Sequence, residues 1–220
     1  MFRSRRRPVV YPQHEHALLA ALIAAAWNDD FGPVRLPRVP FVRGVAHHDR
    51  GYDEHDADEI GRVSRDRWLA IQERGFTPTS EDAIVDLVVA MHVRRLVSPG
   101  EDDAGRQVLR VMDAAILDLA RTAGVSVEDA SVADRITNLC DRISFDACLE
   151  EPSSGGVEVV SADGAPVRVR YRLDGHERIR LDPWPLDTTL VTGTIRAYAA
   201  EGYPDVLEPV PVPFVVEPAR

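Results

Sequence analysis

"PSSGGVEVVSADGAPVRVRYRLDG", from Pro152 to Gly175, is where the chain changes character. After the Pro-Ser-Ser-Gly-Gly break, Val167, Val169, Tyr171 and Leu173 alternate with Arg168, Arg170 and Arg172. Successive side chains of a strand point to opposite faces, so the alternation predicts a half-buried strand. Asp163-Gly164 and Asp174-Gly175 flank it as hairpin signals. "TTLVTGTIRAYA" (Thr188 to Ala199) is a further strand candidate, whereas "PVPVPFVVEP" (Pro209 to Pro218) carries too many prolines for a central strand. Residues 153–220 are therefore expected to form a small antiparallel β-rich subdomain.

Everything before the break reads as helix. Residues 13–29 are rich in Ala and Leu, and "FGPVRLPRVP" (Phe31 to Pro40) is a loop. "FVRGVAHH" (Phe41 to His48) is a short buried helix, and residues 53–67 are polar and poorly periodic. Over Thr79 to Val97, a Thr79 or Ser80 cap precedes Ile84, Leu87, Val88 and Met91 at helical spacing, with a stop at Pro99-Gly100. Helices follow over Gly105 to Gly124 and Ser126 to Glu151. The expectation is a mainly α body over residues 1–152, with about five helices, and α+β overall once the C-terminal unit is counted.

Length and composition suit such a fold: 220 residues, 45% hydrophobic and 28% charged. The net charge of −10 disfavours nucleic acid and anionic membranes as partners. "RSRRR" (Arg3 to Arg7) ahead of "ALLAALIAAA" (Ala17 to Ala26) mimics a secretion signal. Two prolines, a Glu and two His separate the parts, and the apolar run is too short to span a bilayer. It reads as an amphipathic helix, with the arginines as a solvated tail. Cys140 and Cys148 lie eight residues apart in one helix, roughly 12 Å along its axis, too far for a disulfide. Reduced core thiols fit a cytoplasmic protein.

The chemistry-bearing residues are dispersed. "GVAHHDRGYDEHD" (Gly44 to Asp56) contains the doublet His48-Asp49 at an expected helix end, with Gly51 to turn the chain. His16, unlike His14, shares a helical face with Leu19 and Ile23. His92 interrupts the apolar run "LVVAMHV". Asp134, Asn138 and Asp141 form one polar stripe, in which Asp141 has the more apolar surroundings and Asp134 remains an alternative. Helices that point His and Asp inward can build a metal site. His47, Asp53 and His55 stand at its rim, and Asp56 reads as solvated.

The order His … His-Asp … Asp resembles the HD superfamily of metal-dependent phosphohydrolases. A closer resemblance is to an uncharacterised bacterial family of HD-like proteins, a domain of unknown function. It rests on "QHEHALLAALIAAAW", "AHHDRGYDEHD", "VVAMH", "CDRISFDAC" and "LDPWPLD". The chain departs from that family's pattern at His55 and over Ile60 to Thr79. The resemblance implies an all-helical HD-like fold and the ligands His16, His48, Asp49 and Asp141, and its His at the position of His92 adds His92 to the metal ligands.

The expected function is a divalent-metal-dependent hydrolase of a phosphorylated small molecule. Its cofactor would be one or two Fe, Mn, Zn or Ni ions. Asp49, His92 and Arg95 are expected to act on the substrate, with Arg50, Arg94 and Arg142 as further phosphate-neutralising candidates. The alternatives are a di-iron oxygenase on the HD scaffold, which needs about six ligands, and a non-catalytic ligand-binding protein. The oligomeric state is open.

Overall fold

The strand predicted from Val167 onward belongs to a far larger sheet than the sequence suggested. The computed structural model describes residues 1–79, 82–97, 103–174 and 177–219. Ser80, Pro99-Gly100 and Gly175, invoked above as cap, stop and turn, lie outside the described residues.

Seven strands form one curled mixed sheet: β1 (Phe2–Arg3), β2 (Val9–Tyr11), β3 (Ser153–Val160), β4 (Pro166–Asp174), β5 (Arg178–Asp182), β6 (Val191–Ala199) and β7 (Pro209–Pro218). Their order is β1-β2-β6-β7-β5-β4-β3, antiparallel except for β5 beside β7. Six helices accompany them among the described residues: α1 (Gln13–Ala25), α2 (Arg38–Ala46), α3 (Arg65–Phe76), α4 (Ala83–Leu96), α5 (Asp103–Ala123) and α6 (Val127–Leu149). With 43% helix and 23% strand, the fold is α/β, not the mainly α, all-helical HD-like domain expected from the sequence.

Two segments account for this correction. The first is the N-terminus, where Val9 and Val10 pair with Ala199 and Tyr198 of β6. Arg3–Arg7 is therefore no solvated tail. Arg7 runs back to the buried Glu150 carboxylate beyond α6, which also accepts from Tyr11 and, at 2.8 Å, from Ser4 Oγ.

The second is β7, a central strand despite its prolines. Val215 N–H donates to Glu177 O (2.7 Å) and Ala219 N–H to Leu181 O (2.9 Å), so odd-numbered residues aim their N–H toward the β5 side. β5 pairs with β7 only over Val215 to Pro218. The donors missing at Pro209, Pro211 and Pro213 would point where β7 has no ladder partner, and the ladder to β6 stays intact.

The Asp163-Gly164 hairpin forms as read, with Gly164 at φ +83° between β3 and β4. "LDPWPLD" bonds to the end of α1, through Asn28 N–H to Pro185 O and Asp187 N–H to Ala26 O (2.9 and 2.8 Å). α3 was missed. Ser64 caps it by accepting from Arg67 N–H, yet only Ile71, Gln72 and Gly75 are buried, too few for an apolar stripe.

α1 and α6 pack on the sheet, α2 and α4 lie against them, and α3 and α5 flank α4. α1 is less amphipathic than expected. Leu19, Ala20, Ile23 and Ala24 are all fully buried, as suits a helix surrounded by α2, α6 and β6. Gly44 lets α2 approach α4 closely, since a Cβ there would stand 2.6 Å from the Val88 side chain. Gly51 does the same beside α3, where a Cβ would meet Ile71 O at 2.2 Å. These close approaches hold the His48-Asp49 turn among the four inner helices. No helix among the described residues is long and apolar enough to cross a membrane.

Candidate metal centre

His16 lies one turn into α1, His48-Asp49 just past the end of α2, His92 on α4 and Asp141 on α6. The fold brings all five together. His16, His48 and His92 are almost wholly buried, and Asp49 and Asp141 nearly so.

The orientation of the two central imidazoles follows from their partners. His16 Nδ1 lies 2.6 Å from Gln13 O and His48 Nδ1 lies 2.7 Å from Val45 O. A carbonyl only accepts, so each Nδ1 carries a proton and each Nε2 is the nitrogen left to take a second proton or a metal ion. Those two Nε2 atoms stand 3.1 Å apart. Around them, Asp141 Oδ1 is 3.5 Å from both, and Asp49 Oδ2 is 3.6 Å from His16 and 3.9 Å from His48. With both rings neutral, four acceptors thus face one another, and a proton or a metal ion among them relieves the repulsion.

Facing lone pairs and carboxylates repel unless a cation sits among them. Nitrogen and oxygen ligands at ~2.0–2.2 Å from a tetrahedral ion are ~3.3–3.6 Å from each other. The observed spacings of 3.1 to 3.9 Å bracket that range. The buried groups His16–His48–Asp49 and His48–His92–Asp141 can hold a metal ion. The backbone carbonyls of Gln13 and Val45 supply the outer support that fixes ligand orientation in such centres.

The protonation equilibria point the same way. Burial disfavours charge on His48, but Asp141 and Asp49 outweigh it and raise its pKa to about 8. Burial likewise opposes ionisation of Asp49, yet His48 and its neighbours bring it down to about 2. Asp141, against the same opposition, is held well below the usual carboxylate range by His16 and His48. Both carboxylates are therefore anionic at neutral pH, and the cage favours positive charge at its centre.

His92 is held differently. Arg95 Nη2 donates to its Nδ1 at 2.9 Å, which leaves the proton on Nε2. That Nε2 is 3.3 Å from Asp49 Oδ1, close but not aligned for a hydrogen bond. Burial, with His48 and Arg95 nearby, lowers the His92 pKa and keeps the ring neutral.

Arg95 also reaches Asp134 (3.2 Å), Asn138 (3.1 Å) and Asp141 (3.4 Å), so the polar stripe of α6 is read by a guanidinium. Asp134 therefore binds Arg95, while Asp141 turns one oxygen to the cage. Arg50 is tied to Asp86 (2.6 Å) and Arg94 to Asp113 (2.6 Å), away from the cage. His47 is exposed and Asp53 pairs with Arg74. His55 sits beside Tyr198 at the sheet.

A cavity of about 230 Å³ opens on His16, Asp49, His92 and Asp141. Phe2, Tyr52, Trp68, Leu96 and Phe145 contribute its apolar wall. An adjoining groove of about 590 Å³ shares Asp141, Leu96 and Phe145 and adds Arg95 and Arg142.

A family model described as "Protein of unknown function (DUF3891)" matches residues 3–199. The chain belongs to the DUF3891 family. No curated protein matches it, and no solved structure does. The matched span of this DUF3891 chain runs from β1 to the end of β6 and contains every cage residue. It brings no activity with it and no tie to the HD superfamily.

Three contributors to the site escaped the sequence reading. Asp56 is buried, not solvated, and accepts the Gln13 N–H at 3.1 Å, capping α1 where Pro12 offers no side-chain oxygen. Gln13 supports His16 through its carbonyl. Trp68 comes from the missed α3. Only the lone Trp in a polar stretch hinted at it.

Proposed function

We propose that this protein is a divalent-metal-dependent hydrolase of small phosphorylated molecules. The observation that carries the proposal is the convergence of the His16 and His48 Nε2 atoms, 3.1 Å apart and enclosed by two ionised carboxylates beside an open cavity. His16, His48, Asp49 and Asp141 would hold the ion, and a mixed imidazole–carboxylate set suits Mn, Fe, Zn or Ni. When bound, such an ion lowers the pKa of water and polarises a phosphoryl oxygen.

The chain's own groups supply the rest. Asp49, ionised down to about pH 2, is an acceptor that orients a hydrogen-bond donor rather than a base that removes protons. Neutral His92 keeps its Nε2 within 3.3 Å of Asp49. Arg95 holds His92 and Asp141 in place, and Arg142, exposed in the adjoining groove beside Tyr171, is the guanidinium placed to meet an anionic group. The reading is of one ion. Arg95 already engages His92 Nδ1 and approaches Asp141 Oδ2, and neither His47 nor His55 reaches the cage to complete a two-iron set. Two free buried thiols fit a cytoplasmic setting.

The test is to strip the protein with a chelator and reload it separately with Mn, Fe(II), Zn or Ni. Phosphate release is then measured from nucleoside monophosphates and sugar phosphates. One ion should restore hydrolysis in the wild type and none should in His48→Ala. Failure of every ion with every phosphoester contradicts the proposal.

A further inference from the structure

Gln13 is 1% exposed and lines the cavity over the cage, yet neither atom of its carboxamide has a hydrogen-bond partner among the described residues. Buried polar groups are nearly always paired, and a primary amide offers two donors and an acceptor. The backbone beneath this side chain is pinned. Its N–H is bound by Asp56 and its carbonyl by His16 Nδ1, so a backbone shift would displace a cage residue. The same cavity is walled by the aromatic rings of Phe2, Trp68 and Phe145, which suit a flat group.

We infer that Gln13 is a substrate-recognising side chain, and that the group it reads is a planar amide-type edge with a donor adjacent to an acceptor, as in a lactam or ureide ring. The cavity's 230 Å³ falls below the ~300–1,000 Å³ of pockets that take a whole ligand. It therefore receives one end of the substrate, while the larger groove past Leu96 and Phe145 takes the remainder beside Arg95 and Arg142. Only the placement of that edge next to the reacting phosphoryl group rests on the hydrolase reading above. Recognition by Gln13 does not need it.

Calorimetric titration with uracil and hydantoin, and with 1,3-dimethyluracil as the ring lacking donors, tests the inference on the full-length protein. Wild type and Gln13→Met are compared, with metal content measured on both. The wild type should prefer uracil or hydantoin over the methylated ring, and Gln13→Met should lose about ten- to a hundredfold of that affinity. Metal content should be unchanged. The ligand-free Gln13→Met protein should melt at or above the wild-type temperature, because it no longer buries an unpaired amide. A structural Gln13 would instead give a lower melting temperature. Absence of uracil and hydantoin binding, equal binding by Gln13→Met, or no preference over the methylated ring overturns the inference. A Gln13-dependent preference in a protein that takes up no metal would sink the hydrolase reading and leave this one standing. Metal uptake without the preference would do the reverse.

Discussion

Two buried polar clusters sit along α6, and they are finished to different degrees. Just past its C-terminal end, the Glu150 carboxylate accepts from Ser4, Arg7 and Tyr11, so its oxygens all have donors. Nearer the middle, Asp141 faces His16, His48 and Asp49 across a set of nitrogen and oxygen atoms spaced as ligands of one ion would be. The first cluster is complete as it stands and staples the N-terminal strands to the helix. The second, we propose, is completed by a metal ion. A satisfied buried network signals structure, and an unsatisfied one signals a ligand.

The largest effect should come from breaking the staple. Glu150→Ala leaves Arg7 without its carboxylate partner and should destabilise the fold by about 3–5 kcal/mol, read by urea unfolding, without lowering metal affinity. A fall in metal affinity with stability intact would reverse the roles assigned to the two clusters. Next in size, Arg95→Met removes the donor on His92 Nδ1 and the counter-ion of Asp134. Outer-sphere losses of this kind weaken metal binding about 10- to 100-fold, and competition with a chelator would measure it.

Acid should then separate the staple from the rest of the protein. Burial alone would raise the Glu150 pKa, but Arg7, Tyr11 and Ser4 hold it below its ordinary value. A carboxylate depressed in the folded state contributes stability above its unfolded pKa and loses it as pH falls through the folded one. Unfolding curves from about pH 5 downward should show the wild type approaching Glu150→Gln. A gap that stays constant would mean that the carboxylate is not depressed. The smallest effect belongs to the surface. Arg94→Ala breaks an exposed pair with Asp113 and should change stability by less than about 1 kcal/mol, with metal content unaltered.

The residues that the cage assembles were legible because helix faces and helix ends are local features. His16 reads inward from its spacing to Leu19 and Ile23, and His48-Asp49 sits where Gly51 must follow. The sheet was less legible because its pairings are distant. Nothing near Val9 announces Ala199, and a stretch of arginines looks the same whether it is solvated or bonded to a buried Glu150. The prolines of β7 mislead for a related reason. Which side their missing donors face depends on where β5 ends, a property of another strand. The unpaired amide of Gln13 exists only once the cavity does.

His16, His48, Asp49 and Asp141 are proposed to enclose one ion. The direct measurement is the metal content per chain of protein equilibrated with Mn, Fe(II), Zn or Ni, for wild type, His48→Ala and Asp141→Ala, with circular dichroism to establish that each is folded. One ion per wild-type chain and none in either folded variant is the expected result. Full occupancy in both variants, or no uptake by the wild type, would contradict it.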